Sequence, residues 1–169
     1  MSIIILVCTL PYMYEYVAGD MAKTATSGIS QQLIKAAEKG VADCVRTCLC
    51  YPDCNVNARA SQWPHQTALI AAAENRHVDC VVACLQHPDC DVNACDEQAG
   101  NTALILSAQK VKDTSDDYAM IMQELLKSPR IDVNGFSKYG DKSALHMASS
   151  DAAVAILVRV ERCDVNIQN

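Results

Sequence analysis

The chain has 169 residues, of which 50% are apolar and 20% charged, and its formal net charge is −6. This composition is typical of a soluble globular protein, and the chain is long enough for one domain. The acidic balance, with no block of Lys and Arg, argues against nucleic-acid binding, which requires a basic footprint.

The N-terminal segment, residues 1–29, is predicted to be an arm outside the repeated part of the chain. Its apolar run from Ile3 to Leu10 is much shorter than the roughly 20 apolar residues that cross a bilayer, so we expect no membrane span. A secretory signal has a basic leader, whereas the first basic residue here is Lys23, after the apolar run. Cytoplasmic residence is expected because free core cysteines suit a reducing compartment. Secretion is the alternative, because the apolar N-terminus is followed by small residues at 18–19 that imitate a cleavage site.

Four copies of one phrase divide the rest of the chain. They are DCNVN at 53–57, DCDVN at 89–93, RIDVN at 130–134 and RCDVN at 162–166. Their valines are 36, 41 and 32 residues apart, and recurrence at roughly 20–50 residues indicates stacked units that bury their apolar faces against each other. We predict a repeat array over residues 30–169, with units at about 30–65, 66–100, 101–141 and 142–169.

Each unit is predicted to begin with an amphipathic helix. Leu69, Ala72 and Ala73 illustrate its apolar stripe at i, i+3 and i+4. A hydroxyl residue precedes the pattern in three units, where it can accept from the unpaired N–H groups of the first turn: Thr67, Thr102 and Ser143.

A second helix with adjacent apolar pairs, such as Cys80-Val81 and Cys84-Leu85, is predicted to follow in each unit. A proline after three of these helices prevents their continuation: Pro52, Pro88 and Pro129. The Asp-Val-Asn phrase comes next. The polar loop between the phrase and the next helix is called a finger below; the three fingers are residues 58–66, 94–101 and 135–142.

This order of motifs resembles the ankyrin repeat, whose period is about 33 residues. The residues that carry the resemblance are TAL-x-x-AA at 67–73, V-V-x-x-L at 81–85 and DVN-A-x-D at 91–96, and they recur over about residues 30–169. The resemblance implies an all-α solenoid of helix pairs joined by hairpin-like fingers. It also implies protein–protein recognition through the finger tips and the concave surface of the first helices.

The chain departs from the ankyrin pattern at several positions. The Thr-Pro-Leu-His opening keeps its histidine only at His146, and the Gly-His turn is Arg76-His77 in the second unit. The third unit is longer by a polar stretch at 109–117. The fourth is shorter between Ser149 and Val154, so a regular helix pair is not expected there. Because no polar capping unit follows the last phrase, we expect either a fragment of a longer array or a final half-repeat.

Ten cysteines are the compositional anomaly of the chain. Cys44, Cys48, Cys80 and Cys84 form two i, i+4 pairs in neighbouring units, and four converging thiolates could hold zinc or form disulfides. We favour core packing, because the ankyrin resemblance places valine and leucine there and free cysteine behaves as a small hydrophobe. Cys95, in a polar finger, is expected to be the exposed thiol.

The fingers carry the candidate partner-binding residues. Trp, Tyr and Arg are the usual anchors of protein interfaces, and the only tryptophan and the only phenylalanine of the repeated region lie in fingers. The candidates are Arg59, Gln62, Trp63, His65, Glu97, Gln98, Phe136, Lys138 and Tyr139, with Arg76 expected on the same side.

No phosphate loop, nucleophile turn or other catalytic signature is present in the sequence. We therefore predict a non-enzymatic scaffold that binds another protein and needs no cofactor or metal. A cysteine-based zinc or redox protein and a targeting segment of a larger multidomain protein are the alternatives.

Overall fold

The structure is a computed structural model that describes residues 27–62, 64–114 and 116–166. The predicted arm, up to residue 26, and Trp63 lie outside the described residues. Eight α-helices and no β-strand are present in the described part. They are α1 Ser27–Lys39, α2 Ala42–Leu49, α3 Ala68–Glu74, α4 Val78–Gln86, α5 Ala103–Lys110, α6 Asp117–Lys127, α7 Ala144–Met147 and α8 Asp151–Val158.

The helices form two layers. The first helices of the units, α1, α3, α5 and α7, pack in a row, and the second helices, α2, α4, α6 and α8, pack in a parallel row behind them. Each first helix also packs against the second helix of its own unit. The predicted all-α stack of helix pairs is confirmed.

The core is continuous from unit to unit. Helix α3 shows why: every residue from Ala68 to Ala73 is buried, since its alanines allow neighbouring helices to approach closely on several sides. The equivalent leucines of the first three units, Leu33, Leu69 and Leu104, are each at most 2% exposed. Burying a side chain of this size contributes roughly 1.5–3 kcal/mol to folding stability. Stacking of units therefore provides apolar burial that a single pair of helices cannot provide alone.

The predicted helix caps are confirmed. Thr67, Thr102 and Ser143 each adopt an extended backbone, and each hydroxyl accepts from the N–H three residues further on. Ser143 and His146 also form a reciprocal capping box. These caps fix where each first helix begins and therefore where each finger ends.

The valine of the repeated phrase is a core residue, and its neighbours build the turn. Val56, Val92 and Val133 are 2–4% exposed. In each phrase the side-chain oxygen two residues before the asparagine accepts from the asparagine N–H, as Asp91 Oδ1 does from Asn93 N at 3.0 Å. This local bond makes a turn without helix or strand.

The third and fourth units differ from the others as the spacing indicated. The extra residues of unit three lie between Lys110 and Asp117. Unit four has both helices, but the pair is irregular, as expected. The shortening is absorbed by the first helix, Ala144–Met147, which has only four residues, while Asp151–Val158 has eight.

Candidate functional site

Asparagine side chains join each unit to the next. Asn93 Nδ2 donates to Arg130 O at 2.9 Å, and Asn93 Oδ1 accepts from Asp132 N at 2.8 Å. Asn57 and Asn134 make the same pair of bonds with the following units. We call these three residues the asparagine ladder. The phrase therefore serves two purposes, because its valine fills the core and its asparagine fixes the spacing of the units.

Two arginines bind backbone oxygens of the preceding unit. The Arg130 guanidinium donates to four carbonyls at 2.5–3.4 Å, those of Leu85, His87, Pro88 and Cys90. Arg162 donates to the four equivalent carbonyls of unit three, at 3.1–3.4 Å: Leu126, Ser128, Pro129 and Ile131. Each arginine clamp lies where a second helix ends, so its positive charge also faces the negative end of the helix dipole. The clamps were not predicted from the sequence, where their only signal is the arginine that opens RIDVN and RCDVN.

The fingers are hydrogen-bonded to each other through their backbones. Glu97 N donates to Pro64 O at 3.3 Å, joining finger two to finger one. Lys138 N donates to Gly100 O at 2.8 Å, joining finger three to finger two. The three fingers are therefore one connected row.

Finger one contains four predicted binding residues, and the structure shows side-chain hydrogen bonds for two of the three that it describes. The Arg59 guanidinium donates to His65 O and to Cys95 O at 3.1 and 3.0 Å, so it bridges fingers one and two. The His65 ring bonds Ala60 O at 2.8 Å. Gln62 is exposed, and Trp63 lies outside the described residues.

Finger two is shaped by a buried carboxylate. Asp96 is 4% exposed, and its oxygens accept from the N–H groups of Ala99, Gly100 and Asn101 at 2.6–3.3 Å. Glu97 and Gln98, both predicted binding residues, are exposed at the tip. The tip therefore presents one carboxylate and one amide on a fixed backbone.

Finger three presents the aromatic part of the row. Tyr139 is 60% and Phe136 42% exposed. The Lys138 ammonium lies 5.3 Å from the centre of the Tyr139 ring, and the Phe136 and His146 rings are 6.3 Å apart. The three predicted binding residues of this finger thus share one exposed basic and aromatic surface.

Arg76 belongs to another part of the molecule. It lies in the turn after helix α3, at the opposite end of that helix from the capping Thr67 and finger one. Its guanidinium pairs with Asp116 Oδ1 at 2.7 Å and lies 5.2 Å from the Tyr118 ring centre. Arg76 therefore fixes the inserted loop of unit three onto unit two, and the structure does not bring it together with the fingers.

The four cysteines considered as zinc ligands occupy the core, as favoured from the sequence. Cys44, Cys48, Cys80 and Cys84 are all buried on the second helices. Within the described residues, no group of three or more His, Cys, Asp or Glu side chains is placed to hold a metal ion. The expectation about Cys95 was wrong: Cys95 is partly covered, and among the cysteines in the described part of the chain only Cys50 is exposed.

Burial also makes these thiols poor nucleophiles. It raises the pKa of Cys48 to about 12 and the pKa values of Cys80 and Cys90 to about 11, from an ordinary value of 9.0. A thiol must ionise to attack or to bind metal, so at neutral pH these side chains act as apolar core residues.

Folding stability is expected to fall as the pH rises above 9. The unfolded chain loses its thiol protons near pH 9, while the native state keeps those of Cys48, Cys80 and Cys90 to about pH 11–12. Each such thiol lowers the free energy of unfolding by up to about 1.4 kcal/mol per pH unit in this window. Urea unfolding at pH 8 and pH 10 measures the loss. The triple variant with alanine at these positions should lose less; an equal loss would show that the thiols are not responsible.

Comparison with known proteins agrees with the geometry. The model of the family described as ankyrin repeats (3 copies) matches residues 33–134, more than half of the chain. No curated protein matches the chain significantly. The matched residues contain three copies of the phrase and the helices α2 to α6 in full. The chain belongs to the ankyrin repeat family.

Proposed function

We propose that this chain is a non-enzymatic scaffold that binds another protein through its row of fingers, with finger three as the main contact. Ankyrin repeats generally mediate protein–protein interaction. To this general role we add a specific binding surface, the row of fingers. It is supported by exposed side chains on a backbone that is held by hydrogen bonds between the fingers.

The observation that carries the proposal is the exposure of Tyr139 and Phe136 on a finger that is tied to its neighbour. Large aromatic side chains are strong interface anchors, and side chains held on an ordered backbone lose less conformational entropy on binding than those of a free loop. The bond from Lys138 N to Gly100 O provides that order next to the rings.

The charges of the row favour a partner with complementary groups. Lys138 and Lys142 give finger three two exposed cations beside one exposed carboxylate, Asp141. Glu97 provides an exposed carboxylate on finger two. A partner surface with an apolar pocket beside acidic groups fits finger three. Opposite charges at the edges of an interface mainly increase the rate of association, and this effect weakens at high salt.

Replacing Tyr139 by alanine is expected to weaken partner binding at least tenfold. The loss of an aromatic anchor that becomes buried in the complex typically costs about 2 kcal/mol of binding free energy. The matched control is Tyr51→Ala. Tyr51 is 48% exposed but follows helix α2, outside the fingers.

The measurement begins with affinity capture from the native source, in which proteins retained by the unmodified chain are identified. The affinity of each is then determined for the unmodified chain and both variants. Phe136→Ala and Trp63→Ala extend the test to the other two aromatic candidates. If Tyr139→Ala bound every captured partner as tightly as Tyr51→Ala, finger three would not be the binding surface.

We also propose that the protein works in a reducing compartment. Nine cysteines in the described residues are free thiols, and eight of the nine belong to units one and two. Thiols are kept reduced in the cytoplasm. Thiol titration of the protein purified from its native source, unfolded without reductant, should find ten free thiols; fewer would contradict this placement.

A further inference from the structure

The second helix of unit four exposes a position that is fully buried in every other unit. Val154 is 38% exposed, whereas the equivalent residues of the first three units are each 0% exposed: Val45, Val81 and Met122. Val165 shows the same contrast, since it is 55% exposed and the valines of the other three phrases are 2–4% exposed. Val158 is also exposed. In units one to three, the following unit covers these positions.

The same face repeats the polar pattern that joins the other units. The carbonyls that bind Arg130 in unit two and Arg162 in unit three correspond in unit four to those of Val158, Val160, Glu161 and Cys163. The loop has the same local bond, because Cys163 N donates to Val160 O as Cys90 N does to His87 O. Asn166 occupies the ladder position, and its N–H bonds Asp164 as in the other phrases. No arginine of the described residues reaches these carbonyls.

We propose that this unit-four face, defined by Val154, Val158, Val165 and Asn166, docks one further ankyrin-type unit that carries an arginine at the position of Arg130 and Arg162. The valines would pack against its helices, and the arginine would bind the four carbonyls. The Asn166 side chain would donate to the carbonyl oxygen of that arginine and accept from the N–H two residues further on, as Asn93 does with Arg130 and Asp132. The face is separate from the fingers, so the inference is independent of the proposed function.

A second copy of this chain, stacked head to tail, would make a weaker junction with the face. Its first unit would present Asp53 at the position of the arginine, because DCNVN begins with aspartate where RIDVN and RCDVN begin with arginine. The junction of units one and two is of this kind, since Asp89 holds the position and the units stack without a clamp. A carboxylate cannot donate to the four carbonyls, so an arginine-bearing unit adds hydrogen bonds that a second copy cannot make.

The test adds such a unit in register. Asn169 is 32 residues after Ser137, and Val165 is 32 residues after Val133. A copy of residues 138–166 attached directly after Asn169 therefore continues the array and places a copy of Arg162 against the unit-four face. Docking is expected to raise the melting temperature by about 5 °C in a single transition, since a gain of about 2 kcal/mol shifts a domain of this size by that amount. The backbone amides of Val165 and Asn166 should become protected from hydrogen exchange.

Two matched variants separate docking from mere extension. The first replaces the arginine of the attached copy by alanine, and the second is Val154→Asp in the parent part; each is expected to remove most of the gain. Val154→Asp in the unextended chain should shift the melting temperature by less than about 2 °C, because the side chain is at the surface.

Three outcomes would overturn the inference. The attached copy could unfold in a separate transition and leave the parent unchanged. Both variants could keep the full gain. Sedimentation of the unextended chain could show a dimer that Val154→Asp abolishes, in which case a second copy covers the face.

Discussion

Replacing Arg130 by alanine is expected to lower the free energy of unfolding by about 2 kcal/mol, since a hydrogen bond from a charged donor contributes roughly 1.5–3 kcal/mol and water partly replaces this exposed one. The guanidinium binds four carbonyls of unit two. Its loss leaves these oxygens to solvent and removes a cation from the end of helix α4. Urea unfolding followed by circular dichroism, extrapolated to zero denaturant, measures the change.

Two further variants identify the cause. Arg159→Ala removes an exposed side chain for which the structure shows no hydrogen bond, and its effect should stay within about 0.5 kcal/mol. Arg130→Lys keeps the charge but replaces the planar fork with one ammonium, so about half of the loss should remain. If Arg130→Ala were as stable as Arg159→Ala, the arginine clamp would not stabilise the array.

Gly100→Ala is expected to destabilise the protein by about 3 kcal/mol, the sum of a left-handed backbone and a backbone collision. Gly100 has φ +70°, and a Cβ at this position would lie 2.7 Å from Lys138 N and 2.6 Å from Lys138 Cβ. The collision is at the bond that joins fingers two and three. Thermal and urea unfolding measure the loss, and partner binding through finger three should fall with it.

Gly140→Ala is the matched control, in the next finger. Its φ is not positive, and the nearest atom to an added Cβ is the Ser137 hydroxyl, which can rotate away. The expected loss is below about 1 kcal/mol. Gly100→Asn separates the two causes, because asparagine tolerates positive φ but still carries a Cβ. A nearly full recovery with asparagine would show that strain, and not the collision with Lys138, dominates.

The fold could be predicted because the sequence features that determine it recur in each unit and act over short distances along the chain. The valines of the phrase mark each unit, and the residues that cap the helices, such as Thr67 and Thr102, act within four residues of their own position. The burial of Cys44 and Cys80 was predicted from the ankyrin resemblance, which implies valine or leucine at these positions. The short first helix of unit four could not be predicted, since the missing residues could have been taken from either helix or from the turn.

Only part of the candidate site could be predicted from the sequence, because its geometry depends on contacts between units. Nothing near Arg59 in the sequence shows that its guanidinium reaches Cys95 O, 36 residues away. Arg76 and Asp116 are 40 residues apart, and only the stack places the insertion beside the turn. Tyr139 and Glu97, which were predicted to contact a partner, are exposed because a finger tip has no neighbour to cover it.

The arginine clamps have a consequence for how this array can evolve. Arg130 and Arg162 bind only main-chain oxygens, and every residue has one. The side chains of the preceding loop can therefore change freely without weakening the junction, as its Leu-Gln-His-Pro in unit two and Leu-Lys-Ser-Pro in unit three show. Such junctions allow units to be duplicated, exchanged or given new surfaces one at a time, while the order of the stack is preserved.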